Sequence, residues 1–423
     1  MAPPMTAAAR PTRRIFGLEW PAHVSTAERR SLIAGGLGWM LDAMDVMLYS
    51  LVLSHLMREL GMEKGTAGLL NSLTLLASAT GGFLFGFLAD RVGRTRALMA
   101  SILVYSLASG ACGLSTTIVQ LAICRFILGL GMGGEWTTGA ALIAETWPAE
   151  HRGKALGLMQ SSWAIGEMVA AVVVAIVLPQ LGWRAVFFVG VLPALVVFWI
   201  RRDVPESELW LKQQEGPRAA GALGRLWRDA ELRRNGLLAT AMNACGMFGY
   251  WGLFTWIPAY LALPVEKGGR GLDLSQTTTW LLVMGVGKWL GYTCFGFLAD
   301  TIGRRRSYVG YLTIAAALVP LYGMAHSPLW LLLLGPFVAF FGTGFFSGFS
   351  ALASELFPTE IRATAMGVSY NIGRGLSAAA PAIVGLVAEH FGLGSAFFLQ
   401  AAAFLAAALL ALTLPETKGR QLD

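Results

Sequence analysis

The sequence predicts an all-α polytopic membrane protein with twelve transmembrane helices in two pseudo-symmetric bundles of six, and three observations carry that prediction. Of the 423 residues, 55% are hydrophobic and 13% charged, and the mean hydropathy is +0.60, far from the quarter-charged balance of soluble domains. At about 20 residues per span, twelve apolar segments can be laid along the chain and they consume most of it. A charged eleven-residue pattern at the end of the second segment returns 210 residues later. Little remains for a catalytic domain, so no enzyme activity is expected.

Taken in order, residues 1–30 are rich in Pro, Ala and Arg and hold no apolar core of signal-peptide type. They read as a cytoplasmic tail, with the first span retained as its own insertion signal. The N-terminal bundle, 31–200, carries spans one to six at 31–55, 66–89, 97–115, 117–145, 153–178 and 184–200. A cytoplasmic linker, 201–234, holds eight basic residues. The C-terminal bundle, 235–413, carries spans seven to twelve at 235–263, 276–299, 307–325, 328–356, 363–388 and 393–413, and 414–423 form a second cytoplasmic tail.

With both ends cytoplasmic, 24 of the 32 Lys and Arg fall on that side, five on the other and three inside spans. This is the positive-inside pattern of an inner (plasma) membrane protein. It makes the formal charge of +7 a mark of topology and argues against a nucleic-acid partner. Cys112, Cys124, Cys245 and Cys294 all sit in apolar stretches, where they act as small hydrophobes, so neither disulfides nor a metal site is expected. Lys288 follows Gly285 and Gly287 without the rest of a phosphate loop, which leaves ATP hydrolysis without a motif and no cofactor implied.

The repeat pairs Gly86-Phe-Leu-Ala-Asp90-Arg-Val-Gly93-Arg94-Thr-Arg96 with Gly296-Phe-Leu-Ala-Asp300-Thr-Ile-Gly303-Arg304-Arg305-Arg306. The same offset carries Glu145 to Glu355 and Arg152 to Arg362. Each copy ends one helix with a carboxylate and opens the next with arginines, an arrangement suited to charge-assisted bonds that break if the halves rock apart. These eight acidic and basic residues, Asp90, Arg94, Asp300, Arg304, Glu145, Arg152, Glu355 and Arg362, are the candidate gate. The duplicated pattern resembles the signature of the major facilitator superfamily. Arg125-Phe-Ile-Leu-Gly-Leu-Gly-Met-Gly-Gly, Val204-Pro-Glu-Ser and Pro415-Glu-Thr-Lys-Gly look like its sugar-porter branch. The resemblance implies alternating access around a central site.

A charge inside the hydrocarbon layer is costly, so each one is a functional candidate. The mid-span set is Asp42, Asp45, Arg125, Glu135, Glu167, Lys288 and Arg374, with no histidine among them. Trp39, Asp42, Asp45 and Tyr49 recur at helical spacing on one stripe of span one. Two close acids suit a site that loads and unloads a proton; the alternative is a permanently ionised pair held by Arg125. Asp45 and Arg125 match the span-one acid and span-four arginine of proton-coupled sugar porters, and the extra Asp42 resembles bacterial organic-acid symporters. Glu135 and Glu167 are further candidates for coupling or packing.

Arg374 lies well inside span eleven, where its guanidinium can grip a carboxylate bidentately; the alternative is a buried partner for an acid such as Glu167. Gln160, Trp163, Tyr250, Trp251, Trp256, Phe346, Tyr370 and Asn371 supply aromatic and polar groups from neighbouring spans. Span-one Gly-Trp-Met-Leu-Asp-Ala-Met-Asp-Val and span-seven Tyr-Trp-Gly-Leu-Phe-Thr-Trp-Ile-Pro resemble bacterial niacin transporters and the related synaptic-vesicle glycoproteins. By that resemblance Trp163, Tyr250, Trp251 and Phe346 line the ligand pocket, and Arg374 takes the basic position. The expected protein is a monomeric proton symporter that imports a small aromatic monocarboxylate, nicotinate first. Other organic-acid symport (benzoate-like, lactate, sialate) is the alternative. A drug:proton antiporter is disfavoured because span five lacks a Gly-Pro signature.

Overall fold

Apolar residues run around the whole circumference of most spans, so the helices can bury one side against each other and leave the other to lipid. The computed structural model describes residues 12–15, 18–21, 24–213, 228–357 and 362–418. Among the described residues, ten helical stretches are long and apolar enough to cross a membrane. The stretch 154–203 turns at Gly182, whose φ of 74° breaks the helix, and so supplies both spans five and six. Span seven, whose Asn, Tyr and Trp lower its hydropathy, completes the twelve.

The helices of the N-terminal half are Thr26–Glu59, Lys64–Val92, Arg94–Gly113, Ile118–Thr146, Ala149–Val189 and Ala194–Asp203. Span one begins earlier than the hydropathy alone indicates, because Ser25 and Glu28 form a capping box that starts the helix at Thr26. In the C-terminal half, three spans are broken: seven into Ala230–Phe254 and Ile257–Ala262, ten into Pro328–Gly344 and Phe346–Leu356, eleven into Arg362–Ser377 and Ala380–Phe391. Pro258 and Pro381 stand in the first turns of the second pieces of seven and eleven, where a missing N–H is tolerated. Spans eight, nine and twelve are Leu274–Ile302, Arg304–Met324 and Leu393–Thr413. One feature lies outside an all-helical reading: Thr12–Ile15 pairs antiparallel with Leu18–Pro21. This ribbon precedes the first span and leaves the helical class unchanged.

Within the first half, span two packs along four and one along five; in the second, eight packs along ten and seven along eleven. The halves meet along two seams, span two against eleven and five against eight. The 210-residue offset interchanges these seams, so the repeat in sequence is a pseudo-two-fold in space. Leu76, Phe83, Leu107, Ile123, Ile176 and Phe198 face outward, as lipid contact requires. None of the seven mid-span charges does: Asp42, Asp45, Arg125 and Glu135 are fully buried, and Glu167, Lys288 and Arg374 are at most 8% exposed.

Candidate functional site

Between the halves lies a narrow pocket lined by Trp39 of span one, Gln160 and Trp163 of five, Tyr250 and Trp251 of seven, Tyr292 of eight, Phe346 of ten, and Tyr370 and Arg374 of eleven. Its wall is largely aromatic. Trp163 sits 4.5 Å from Trp39 between ring centroids and edge-on to Trp251 at 6.0 Å. Tyr250 stands edge-on to Trp251 at 5.1 Å and to Phe346 at 5.0 Å. Tyr370 stacks on Trp136 at 4.0 Å with 9° between planes, and the Trp136 indole N–H donates to Gln160 Oε1 at 3.4 Å.

The breaks in spans seven and eleven lie beside this wall, so neighbouring residues of one helix fan out. Arg374 is 2% exposed, and among the described residues its guanidinium has no hydrogen-bonding or ion-pair partner. Asp42 and Glu135 lie within its electrostatic reach. Among the described residues neither carboxylate accepts a hydrogen bond, and Asp45 accepts one, from Ser109 Oγ at 3.3 Å. Glu135 reaches span one only because position 38 is glycine; a Cβ there would press on Glu135 Oε1.

The alternative pairings named from the sequence are not the ones these charges form. Arg125 makes no ion pair with Asp45; its Nη2 donates to Asn71 Oδ1 at 2.7 Å and its guanidinium lies 4.3 Å over the Tyr49 ring. Glu167 is not the partner of Arg374 but of Lys288, at 2.5 Å. Trp163 Nε1 and Tyr250 Oη also donate to Glu167 Oε1, at 2.9 and 2.8 Å. Tyr49 is off the cavity: ten residues beyond Trp39 it lies about 15 Å further along the helix axis, with its hydroxyl on Ala67 O at 2.8 Å. Asn371, one residue round the helix from Tyr370, turns to the seam with span two and donates to Gly367 O at 3.0 Å. Tyr292 escaped the sequence reading because its repeat equivalent is Gly82, so no duplicated signal marks it.

Toward the face opposite the chain ends, the halves are zipped together. Lys64 Nζ donates to Lys267 O and Ala388 O at 3.0 and 3.2 Å, Gly65 N to Glu389 Oε1 at 2.5 Å, Asn71 Nδ2 to Thr255 Oγ1 at 2.8 Å, and Ala382 N to Ser72 Oγ at 3.1 Å. This state is closed on that side.

On the face bearing the chain ends, the duplicated motif forms two matching clusters. Arg94 binds Asp90 and, at 2.9 Å, Glu145; Arg304 binds Asp300 and, at 3.0 Å, Glu355. Glu206 Oε1 accepts the Arg94 N–H, and Glu416 Oε1 the Arg304 N–H, each at 2.8 Å. The Pro-Glu motifs after spans six and twelve thus cap the helices opened by the loop arginines. Burial pushes the Glu416 carboxyl up, but N–H groups of Lys418, Arg304, Thr417 and Arg305 outweigh it and hold it below the usual range. The bonds of each cluster stay within one half, because the loop joins consecutive helices of the same bundle. The side chains of Arg152 and Arg362 lie outside the described residues.

Comparison with known proteins fits this architecture. The Major Facilitator Superfamily pattern matches residues 36–268 and again 260–422. The cis,cis-muconate transport protein of Acinetobacter baylyi is 32% identical over 87% of this chain and 89% of its own. The niacin transporter of the same organism is 29% identical over 92% of this chain and 94% of its own. The crystal structure of a D-xylose-proton symporter superposes with a TM-score of 0.74 at 21% identity, covering 94% of this chain and all of the other. The chain belongs to the Major Facilitator Superfamily of membrane transporters.

Proposed function

We propose that this protein is a proton-coupled symporter that imports a small aromatic monocarboxylate, with nicotinate the leading substrate, across an inner membrane with both chain ends cytoplasmic. The observation that carries the reading is a buried arginine, Arg374, with no hydrogen-bonding partner among the described residues, set in an aromatic pocket beside two buried acids likewise without hydrogen bonds there. A guanidinium held out of water is costly until an anion meets it. The lining suits a flat carboxylate: once the pocket opens to admit it, the head would meet Arg374 bidentately and the ring would stack against aromatic side chains such as Trp163 and Phe346.

Coupling follows from the shared cation. With the cavity empty, ionised Asp42 or Glu135 neutralises Arg374 at a distance. When a substrate carboxylate takes the cation, a proton on the acid restores charge balance, so the two ligands bind with positive linkage. Asp45, three residues beyond Asp42, extends the carboxylates toward Ser109. Arg125 and Tyr49 hold this end of spans one and four in register. The niacin transporter among the relatives supports nicotinate. The muconate relative supports a second reading, a broader organic-acid symporter.

Proteoliposomes under an inward pH gradient test both readings. Labelled nicotinate should accumulate and collapse with a protonophore, and competition by benzoate, muconate, lactate and sialate separates the two. No gradient-dependent uptake of any of these would remove the proposal. Gly38→Ala supplies a further check. The added methyl meets only the movable end of Glu135, so the folding cost stays within about 1 kcal/mol. Gradient-driven uptake is nevertheless expected to fall several-fold, and wild-type uptake would remove Glu135 from coupling.

A further inference from the structure

A second narrow pocket lies beyond the first on the side away from the chain ends, walled by Met47, Ala171, Phe254, Met284, Glu167 and Lys288 among others. Each of its lining residues is further along its span toward that face than the residues of the same span that line the aromatic cavity. The Glu167–Lys288 pair, backed by Trp163 and Tyr250, is the partition between the two spaces. One partner comes from each half.

We infer that this outer cavity is a second binding station for the monocarboxylate, in which Lys288 exchanges the Glu167 carboxylate for that of the incoming substrate before it passes to Arg374. The inference rests on the proposed function. Three features carry it. The partition is a switchable contact, because each partner keeps other contacts when the pair opens: Glu167 retains the Trp163 and Tyr250 donors at 2.9 and 2.8 Å, and Lys288 stays over the Phe254 and Tyr250 rings at 3.7 and 5.2 Å. The pair is not needed to hold a seam. At the equivalent positions of the other seam, the repeat places Ser78 and Ser377, both buried, and buried ion pairs are in any case poor net stabilisers. The remaining wall is apolar and rich in methionine, which moulds to a ring.

The test is sidedness. Initial rates of nicotinate and benzoate transport are measured from either face, in right-side-out and inside-out vesicles, for wild type, Lys288→Met, Lys288→Arg, Glu167→Gln/Lys288→Met and Arg374→Ala. Lys288→Met should raise KM at least tenfold from the outer face and leave KM from the cytoplasmic face within threefold; Lys288→Arg should restore outer loading. Equal shifts from both faces, or none, would overturn the second station. The double variant buries no orphan charge and is read by the same criteria if Lys288→Met does not fold. Arg374→Ala reports separately on the central anchor: an unchanged KM from both faces counts against the proposed function and leaves the Lys288 result to be judged by its own asymmetry.

Discussion

Arg374→Ala is expected to abolish saturable uptake and to weaken equilibrium binding of nicotinate by roughly a hundredfold or more. Hydrogen bonds to a charged group are worth about 1.5–3 kcal/mol each, and a bidentate grip makes two; about 1.4 kcal/mol is a factor of ten in affinity. The substitution should spare the fold, since the guanidinium makes no hydrogen bond among the described residues and the acid it neutralises can take up a proton when it is gone. Arg374→Lys keeps the charge but not the planar fork, so it should recover part of the affinity. Ligand-induced thermal shift on purified protein measures this directly, because a ligand that binds only the folded form raises apparent stability. Wild-type affinity in Arg374→Ala would sink the assignment of the anchor.

Replacing Asp42 with asparagine should separate binding from coupling. An electroneutral symport of one anion with one proton accumulates substrate at most about tenfold per pH unit, since each unit stores about 1.4 kcal/mol. Asp42→Asn, which mimics the protonated acid in shape and charge, should reduce gradient-driven accumulation to near equality across the membrane. Counterflow exchange of nicotinate, which needs no net proton movement, should persist. Asp45→Asn should also impair accumulation more than exchange. Accumulation at the wild-type level in both variants would place the proton elsewhere, Glu135 being the remaining buried acid near Arg374.

The architecture was legible because hydropathy and duplication reinforce each other. The Asp90 and Asp300 loops fix the same helix junction in each half, and the spans fall into place around them. Trp39, Gln160, Trp163, Tyr250, Trp251, Phe346, Tyr370 and Arg374 converge on one cavity as the sequence reading grouped them, for helical stripes keep a side chain's direction. Stripes do not record depth, which is why Tyr49 shares a face with Trp39 yet serves another level. Partner choice was not legible either. Glu167 and Lys288 are 121 residues apart on different halves, and which cation meets an acid depends on how two bundles dock. Nor do the breaks at Thr255, Phe345 and Ala378 appear in hydropathy, which averages over a kink.

Duplication has one more consequence. The offset that maps the halves onto each other carries Arg374 onto Ala164, a small apolar residue in span five. The repeat therefore does not duplicate the cation: the central chamber carries Arg374 on span eleven with no basic counterpart at the mirrored position of span five. On the proposed function, that asymmetry gives one acidic end of a guest a cationic partner and offers a second acidic end none from the mirrored position.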